Sequence, residues 1–312
     1  MKKYFYYSGR KLRGLASGFR LLVTGSNRQP ATGNRQRVPL TVTKYLFVLF
    51  VILVSCEKPA NWDIKPVADE RIVVDGIITN ESASQQIILS KINNSLNDSV
   101  KPVSGAIVQV KTSDTTFIYN EIPVGSGIYL SDSTTKGIEG ETYELFINWN
   151  GKTISGSDKM NTVLPMSIAA WEKNESSGLY RFTFVCPAFN TTESAMYKLE
   201  VDWSMVAGYS QLPPEDCRAV IYYYSLQSVD LGELLGPVLE KVLFPADTKV
   251  IEKKYSLSPD HAGFIRTMLL ETQCRGGFFD APPSNVTSNL KGDAVGFFGA
   301  SSVISRTFFI AP

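Results

Sequence analysis

Histidine is almost absent from this sequence, since His261 is the single histidine among 312 residues. A Ser-His-Asp hydrolase site would have to use that residue, yet no Gly-x-Ser-x-Gly turn accompanies it. The sequence also lacks a cluster of His, Cys and carboxylate residues at the spacing of metal ligands, and it lacks a glycine-rich motif for phosphates or dinucleotides. We therefore predict no enzyme and no catalytic, cofactor-binding or metal-binding residues, and we expect His261 to lie on the surface of a helix.

Acidic residues are missing from the first 55 positions. This segment holds ten of the 31 Lys and Arg residues and none of the 30 Asp and Glu residues, so residues 56–312 carry 21 basic and 30 acidic side chains, a formal net charge of −9. That balance argues against binding to nucleic acid or to an anionic membrane surface. A basic N-terminal arm for nucleic acid is disfavoured, because an export signal follows it.

The N-terminal segment has no apolar run long enough to span a bilayer comfortably. Its run at residues 45–54 would form a helix of about 15 Å, whereas the hydrocarbon core of a bilayer is about 30 Å thick. The run has the length of a signal-peptide apolar region, and it lies between the basic Lys44 and the small Ser55. Residues 53–56 resemble the bacterial lipobox, which implies that Cys56 receives a diacylglycerol and that cleavage occurs before it. The alternative is a buried core cysteine in an apolar strand.

The chain before Cys56 is excluded from the predicted fold. A lipoprotein signal ordinarily begins a few residues before its apolar run, whereas 43 residues precede Lys44. We interpret residues 1–55 as a basic leader with a lipoprotein signal peptide. We favour a translation start near Leu40 or Val42, which makes residues 1–39 a wrongly assigned extension. Residues 56–70 contain two prolines and no apolar periodicity, so we predict a lipidated tether.

The chain beyond the tether is rich in Val, Ile, Thr, Tyr and Phe with frequent Gly and Asn, which favours strands joined by turns. Within residues 71–165, short apolar stretches alternate with turn residues, which is the pattern of an immunoglobulin-like β-sandwich. Tyr143, Leu145 and Ile147 share one face only if they form a strand, and Asn150-Gly151 supplies a tight turn. Strands are expected at 72–78, 85–91, 107–111, 117–119, 127–130, 140–149 and 152–155.

A second β-rich domain with one or two short helices is predicted for residues 166–312. The run Tyr222–Tyr224 is either a packed strand with alternate rings on its two faces or an aromatic ligand platform. Ser258-Pro259-Asp260 has the residues of a helix N-cap and first turn, so we predict a helix at 259–273. Residues 231–243 indicate a short broken helix or a packed loop. Strands are expected at 167–173, 179–186, 196–203, 218–225, 296–300 and 303–310.

Three cysteines remain beyond Cys56, namely Cys186, Cys217 and Cys274. An exported chain enters a compartment in which disulfides form, and an odd number of cysteines allows at most one intramolecular bridge. We favour Cys217–Cys274 as the pair, because Cys186 ends an apolar strand-like run and suits a core position. The alternative is that all three remain thiols.

Short motifs in the first predicted domain carry one family resemblance. Pro-Val-Ser-Gly-Ala at 102–106, Gly-x-Tyr at 127–129 and Gly-Glu-Thr-Tyr at 140–143 resemble the carboxypeptidase-regulatory-like or transthyretin-like sandwich. Such modules are common in exported bacterial proteins. The resemblance implies a fold and carries no functional residues.

A second resemblance covers essentially residues 56–312. Its motifs are Cys-Glu-Lys at 56–58, Val-Val-Asp-Gly-Ile-Ile-Thr-Asn at 73–80, Ser-x-Ser-Pro at 256–259, Gly-x-Phe-Asp-x-Pro-Pro-x-Asn-Val at 277–286, Asn-Leu-Lys-Gly at 289–292 and Gly-Phe-Phe-Gly-Ala-Ser-Ser at 296–302. They are similar to the DUF4249 lipoproteins of Bacteroidota. The resemblance implies an outer-membrane setting, periplasmic or surface-facing, and association with a TonB-dependent receptor of the carboxypeptidase-regulatory-like kind.

Three further motifs resemble the short Asp-Ser/Thr acceptor that is used for O-glycosylation in Bacteroidota. They place candidate modification sites at Ser99, Thr115 and Ser133.

Together these features predict a non-catalytic, lipid-anchored binding or accessory protein that serves nutrient uptake by a TonB-dependent receptor. The alternatives are a structural or adhesion lipoprotein of the cell envelope and an unrecognised hydrolase with a carboxylate-based site. No motif specifies the ligand.

Overall fold

The computed structural model describes residues 71–93, 99–228, 242–272 and 285–312, together with the backbone of residues 2–5. Strands dominate these residues, which confirms the mainly β prediction, and all of them belong to one compact unit. The strands are β1 (Lys2–Phe5), β2 (Ile72–Thr79), β3 (Gln86–Lys91), β4 (Ile107–Lys111), β5 (Thr116–Glu121), β6 (Ile128–Leu130), β7 (Thr142–Trp149), β8 (Lys152–Lys159), β9 (Ala170–Lys173), β10 (Tyr180–Phe184), β11 (Ala195–Asp202), β12 (Arg218–Ser225), β13 (Lys249–Ser256), β14 (Leu290–Lys291), β15 (Ala294–Ser301) and β16 (Val303–Phe309). The helices are α1 (Pro259–Thr272) and a 3-10 turn at Pro214–Cys217.

The first sheet contains nine strands in the order β14-β8-β7-β4-β5-β6-β3-β2-β15. Its neighbouring strands are antiparallel except β2 and β15, which run parallel with Ile72 opposite Ala294. The sheet curves until its ends nearly meet. The Asn289 side chain joins the two ends, because it donates to the carbonyl oxygen of Ser157 on β8 at 2.9 Å and to that of Phe298 on β15 at 2.7 Å.

The interior of this curved sheet is the first hydrophobic core. Tyr143, Leu145 and Ile147 on β7 lie in it, as their alternation predicts. Each fully buried aliphatic side chain contributes roughly 1.5–3 kcal/mol relative to an exposed one. The chain reverses into β8 at Asn150-Gly151, whose φ angles are 51° and 76°, so the predicted tight turn is confirmed.

Residues 290–301 extend the first sheet, although the sequence analysis placed them in the second domain. Strand β14 pairs with β8, and β15 pairs with β2. Local periodicity identifies a strand but carries no information on a partner strand that is distant in sequence, so this return of the chain could not be predicted.

The second sheet contains five strands in the order β1-β12-β11-β13-β16. Strand β1 lies in the leader that the sequence analysis excludes from the fold, yet it pairs in parallel with β12. The other neighbours are antiparallel. One face of the sheet forms the second hydrophobic core with side chains of the β9-β10 hairpin, among them Tyr180 and Phe182. Leu199 on β11 and Ile221 on β12 lie at its centre.

The sequence pattern does not predict strand β13, because two of its inward positions are charged. Glu252 is fully buried and accepts a hydrogen bond from Nε of Arg306 on β16 at 2.6 Å. Lys254 is also buried, forms an ion pair with Glu193 and donates to the carbonyl oxygen of Leu164 at 3.0 Å. Charges at alternate positions remove the apolar alternation from which a strand is recognised.

The chain crosses from the first sheet to the second at Ser302, between β15 and β16. The Ser302 N–H donates to Oγ of Ser256 at 2.9 Å, and its hydroxyl donates to the Glu139 carboxylate. The Asn80 side chain donates to Oγ of Ser302 at 3.1 Å and accepts the N–H of Val303 at 2.8 Å. Side chains from both sheets thus satisfy polar groups that would be costly to bury without partners.

Helix α1 begins at the predicted cap. The N–H of His261 donates to Oγ of Ser258 at 3.0 Å, as expected for an N-cap serine. Ile265 and Leu269 then pack into a third apolar cluster with Tyr255 of the second sheet. No helix among the described residues is long and apolar enough to cross a membrane.

Candidate ligand-binding cavity

A cavity of about 550 Å³ lies where the two sheets and helix α1 meet. This volume falls within the range of roughly 300–1,000 Å³ that is typical of small-molecule sites. The lining residues are Val73, Val74, Asp75, Gly76, Ile77, Thr79, Gln86, Ile88, Met196, Lys198, Tyr222, Tyr224, Tyr255, His261, Phe264, Ile265, Met268, Gly296 and Phe297.

The wall from the second sheet consists of side chains that point away from the second core. Tyr222 and Tyr224 on β12 line the cavity, whereas Tyr223 between them is buried in the second core. Met196 on β11 is paired in register with Tyr224 on one side and with Tyr255 on the other. The predicted alternation of the tyrosine run is confirmed, and it presents two of its three rings to the cavity.

The wall from the first sheet and the helix contains an aromatic stack. The ring of Phe297 on β15 lies 4.6 Å from that of His261 and 5.1 Å from that of Phe264, measured between centroids. The imidazole lies over Gly299, where a Cβ atom would come within 2.9 Å of Nδ1. Glycine at this position therefore makes the room that the imidazole occupies.

The cavity has little net charge. Lys198 and Asp75 are its charged lining residues, one of each sign. The Lys198 Nζ lies 2.6 Å from the carboxylate of Glu200, so its charge already has a partner. Burial raises the pKa of the three lining tyrosines above the ordinary phenol value, and their hydroxyls are neutral at pH 7.

His261 is buried, so the prediction of a surface histidine is wrong. Its side chain is 4% exposed, because the first turn of α1 faces β15 instead of solvent. Burial lowers its pKa to about 4, and Nδ1 has no hydrogen-bond partner among the described residues. In a Ser-His-Asp site a carboxylate holds that nitrogen, and no described carboxylate occupies this position.

Lowering the pH from 7 to 4 should destabilise the fold through His261. Its folded-state pKa is about 4, whereas an unfolded histidine titrates at about 6.5, so the unfolded chain binds the proton first. The contribution of the neutral His261 imidazole to the free energy of unfolding is complete above pH 6.5. Roughly 3 kcal/mol of it is lost as the pH falls toward 4. Urea unfolding at a series of pH values measures this loss. The His261→Phe variant keeps a ring against Phe297 but has no imidazole to protonate. Its free energy of unfolding should therefore fall less than that of the wild type between pH 7 and pH 4.

The presence of a single histidine also permits a direct measurement. The imidazole ring protons should titrate near pH 4 in the NMR spectrum of the folded protein. A midpoint near 6.5 would contradict a buried, neutral imidazole.

The structure describes two of the four cysteines, Cys186 and Cys217, and tests only the predictions for these two. Cys56 and Cys274 lie outside the described residues, so lipid attachment and the Cys217–Cys274 bridge stay predictions. Cys186 is fully buried in the second core, as predicted, and Cys217 is buried with its Sγ 3.7 Å from the carbonyl oxygen of Tyr209. The two described cysteines are not bonded to each other.

The remaining predicted positions lie apart from the cavity or outside the described residues. Ser99, Thr115 and Ser133 are exposed, and their O-glycosylation stays a prediction. Residues 231–243 are described only at their last two positions. Within the described ranges, no group of three or more His, Cys, Asp or Glu side chains could hold a metal ion.

The sequence analysis named one strand, the one that carries Tyr222–Tyr224, as a possible ligand platform. It predicted other elements around the cavity but assigned them no role in binding. The signal that it could have used is alternation on β11, where Leu199 and Val201 enter the second core while Met196 and Lys198 face the cavity. Tyr255 gives no such signal, because the strand that carries it has buried charges on its other face. The cavity offers aromatic rings, thioethers and a few hydrogen-bonding groups to a ligand.

Comparison with known proteins adds a family without an assigned activity. The model for a domain of unknown function, DUF4249, matches residues 57–307. This range includes helix α1, the whole cavity lining and both sheets, except for strand β1 and the last two residues of β16. No curated protein matches the chain. Because the family model covers most of its length, the chain belongs to the DUF4249 family.

Proposed function

We propose that this chain is a non-catalytic binding protein of the bacterial outer membrane, anchored through acylated Cys56 and associated with a TonB-dependent receptor in nutrient uptake. The observation that carries the binding role is the cavity of about 550 Å³ between the two sheets and α1. A cavity of this size with mainly apolar and aromatic walls and a few polar groups is the default location of a ligand site. The anchor would keep that site close to the receptor.

Sequence features support the anchor and its setting. The signal-like run ends in Ser55-Cys56, and the family match begins at residue 57, immediately after the proposed attachment site. The DUF4249 resemblance points to a lipoprotein of Bacteroidota. The motifs at 102–106 and 140–143 support the further proposal that the first sheet is a variant of the transthyretin-like or carboxypeptidase-regulatory-like sandwich.

The surroundings of the buried carboxylates favour binding over a carboxylate-based hydrolase. Asp158 accepts the N–H groups of Lys159 at 2.9 Å and Ala300 at 2.8 Å. Glu252 is paired with Arg306 across two strands. These contacts give both carboxylates structural partners.

The rival role in adhesion predicts altered surface attachment after gene deletion, whereas the receptor-linked role predicts loss of growth on one nutrient.

Replacing Cys56 with serine should abolish lipid anchoring in the outer membrane, because the hydroxyl does not accept the diacylglycerol and the signal remains uncleaved. Each acyl CH₂ buried in the bilayer contributes about 0.8 kcal/mol, and two or more chains give durable attachment. Cell fractionation should find the wild-type protein in the outer membrane and the Cys56→Ser protein elsewhere and unprocessed. Ser55→Ala keeps a small residue before the cysteine and is the matched control.

Mass spectrometry of the mature N-terminus should detect acylated Cys56, and a mature form that begins at another residue would contradict the anchor. Mild-detergent purification at native expression tests the receptor separately. Recovery of the protein without any TonB-dependent receptor would refute that association and leave the anchor intact.

A further inference from the structure

Aromatic side chains line the cavity from three directions. Tyr222 and Tyr224 belong to β12, Phe297 belongs to β15 of the other sheet, and Phe264 belongs to α1. Aromatic pairs are most favourable in offset-stacked or edge-to-face contact, at centroid separations of about 4.5–7 Å. A flat ring compound between these walls can make such contacts with both sheets at once.

Two methionines complete the apolar lining. Met196 lies on β11 and Met268 lies on α1, so each contributes a thioether from a different element. Unbranched thioether side chains adapt to irregular outlines and pack favourably against ring edges. They allow the cavity to accept rings with different substituents.

The charges around the cavity argue against an ionic ligand. The Lys198 ammonium is neutralised by Glu200 at 2.6 Å. The only other charged lining residue, among those that the structure describes, is Asp75, which already interacts with another group of the protein and is not a free partner for a cation. Burying a ligand charge without a partner costs several kcal/mol. The tyrosine hydroxyls and the Gln86 amide are neutral and supply donors and acceptors for a small number of ligand polar groups.

We propose that this cavity binds a flat, uncharged ring compound, aromatic or fused-ring, that carries few hydrogen-bonding groups and is held between the tyrosines of β12 and the Phe297–Phe264 stack. This inference rests on the proposed binding function and specifies its ligand class.

Two dyes with the same ring system test the charge requirement. N-phenyl-1-naphthylamine is uncharged, and 8-anilinonaphthalene-1-sulfonate differs from it by one sulfonate. Fluorescence titrations use the mature protein as cells process it, in lipid nanodiscs if it is acylated and in buffer if it is not, with the signal of protein-free samples subtracted. The uncharged dye should bind at least about tenfold more tightly, since the sulfonate would have to be desolvated without a free cationic partner. Equal or tighter binding of the sulfonate would overturn the proposal.

Filling the cavity tests the location of the bound dye. Met268→Trp from the helix and Ile88→Trp from the first sheet should each weaken binding of the uncharged dye by at least about tenfold, because the ring would occupy the ligand's space. Met205→Trp is the matched control, since Met205 is 91% exposed and lies outside the cavity lining. Circular dichroism reports folding, and the second filling variant decides the test if the first is unfolded.

The outcomes separate this inference from the proposed function. Wild-type affinity in both filling variants, or no binding of the uncharged dye, would refute the ligand class. Anchoring through Cys56 and recovery of a receptor would still stand. Selective, cavity-dependent dye binding by a protein that is neither anchored nor receptor-associated would support the ligand class and refute the setting.

Discussion

Replacing Lys254 with methionine should lower the free energy of unfolding by roughly 3–5 kcal/mol, the range for removing one partner of a buried ion pair. The Lys254 side chain is 2% exposed and that of its partner Glu193 is 14% exposed. The ammonium also donates to the carbonyl oxygens of Leu164 at 3.0 Å and Pro165 at 3.3 Å, and it lies 5.6 Å from the ring centroid of Tyr197. Methionine preserves much of the volume but removes the donor from two carbonyl oxygens and the positive charge from the Glu193 carboxylate, which among the described donors keeps only the N–H of Leu164 at 3.2 Å.

The next residue along the same strand provides the control. Lys253 faces the other side of β13 and pairs with Glu81 at 2.8 Å, with side chains that are 25% and 34% exposed. Such a partly solvated pair contributes about 0–1 kcal/mol, so Lys253→Met should cost little. Urea unfolding monitored by tryptophan fluorescence compares the two variants. Equal losses would contradict a special role for the buried pair. Lys254→Met combined with Glu193→Gln should recover part of the loss, because the uncompensated charge is then removed.

Replacing Gly296 with alanine should destabilise the protein by roughly 3 kcal/mol or more, because backbone strain and steric overlap add. Gly296 on β15 has a φ angle of 104°, a conformation that residues with a Cβ atom rarely adopt. The added Cβ would overlap the backbone carbonyl of Val74 on β2. A carbonyl within a paired strand cannot rotate away. Relief therefore requires β2 and β15 to separate, and thermal unfolding should detect the loss as a lower midpoint.

Gly140 separates the two contributions to this effect. Its φ angle is 87°, and a Cβ atom there would meet nothing within 4 Å. Gly140→Ala should therefore show the conformational cost alone, about 1–2 kcal/mol. If Gly296→Ala destabilises no more than Gly140→Ala, the steric account of the β2–β15 pair is refuted.

Local sequence patterns predict those parts of the fold that local physics decides. Alternation at Tyr143, Leu145 and Ile147 predicts the strand and its buried face, because side chains of a strand alternate between its two sides. The Asn150-Gly151 turn and the Ser258 cap were also predictable, since each depends on the conformational or hydrogen-bonding preference of one or two residues.

The cavity depends on contacts that no local pattern contains. Tyr222 and Phe297 lie on different sheets, and the packing of those sheets brings both into the lining. His261 has the sequence context of an exposed first turn, and its burial depends on the absence of a side chain at Gly299. The alternation of Glu252 and Lys254 indicates a solvated surface until their partners Arg306 and Glu193 are known.

Residues 294–309 contribute a strand to each sheet, which limits how early in the chain either sheet can be completed. Strand β15 completes the first sheet and β16 forms an edge of the second, so the first sheet is incomplete until the chain has emerged through Ser301 and the second until it has emerged through Phe309. Until Ala294–Ser301 has emerged, whether from the ribosome or from the export machinery, strand β2 has an unpaired edge at Ile72–Thr79. Unpaired edges of this kind favour aggregation. We therefore expect productive folding to be a late event that involves both sheets, because a chain that ends before residue 294 lacks a strand of each.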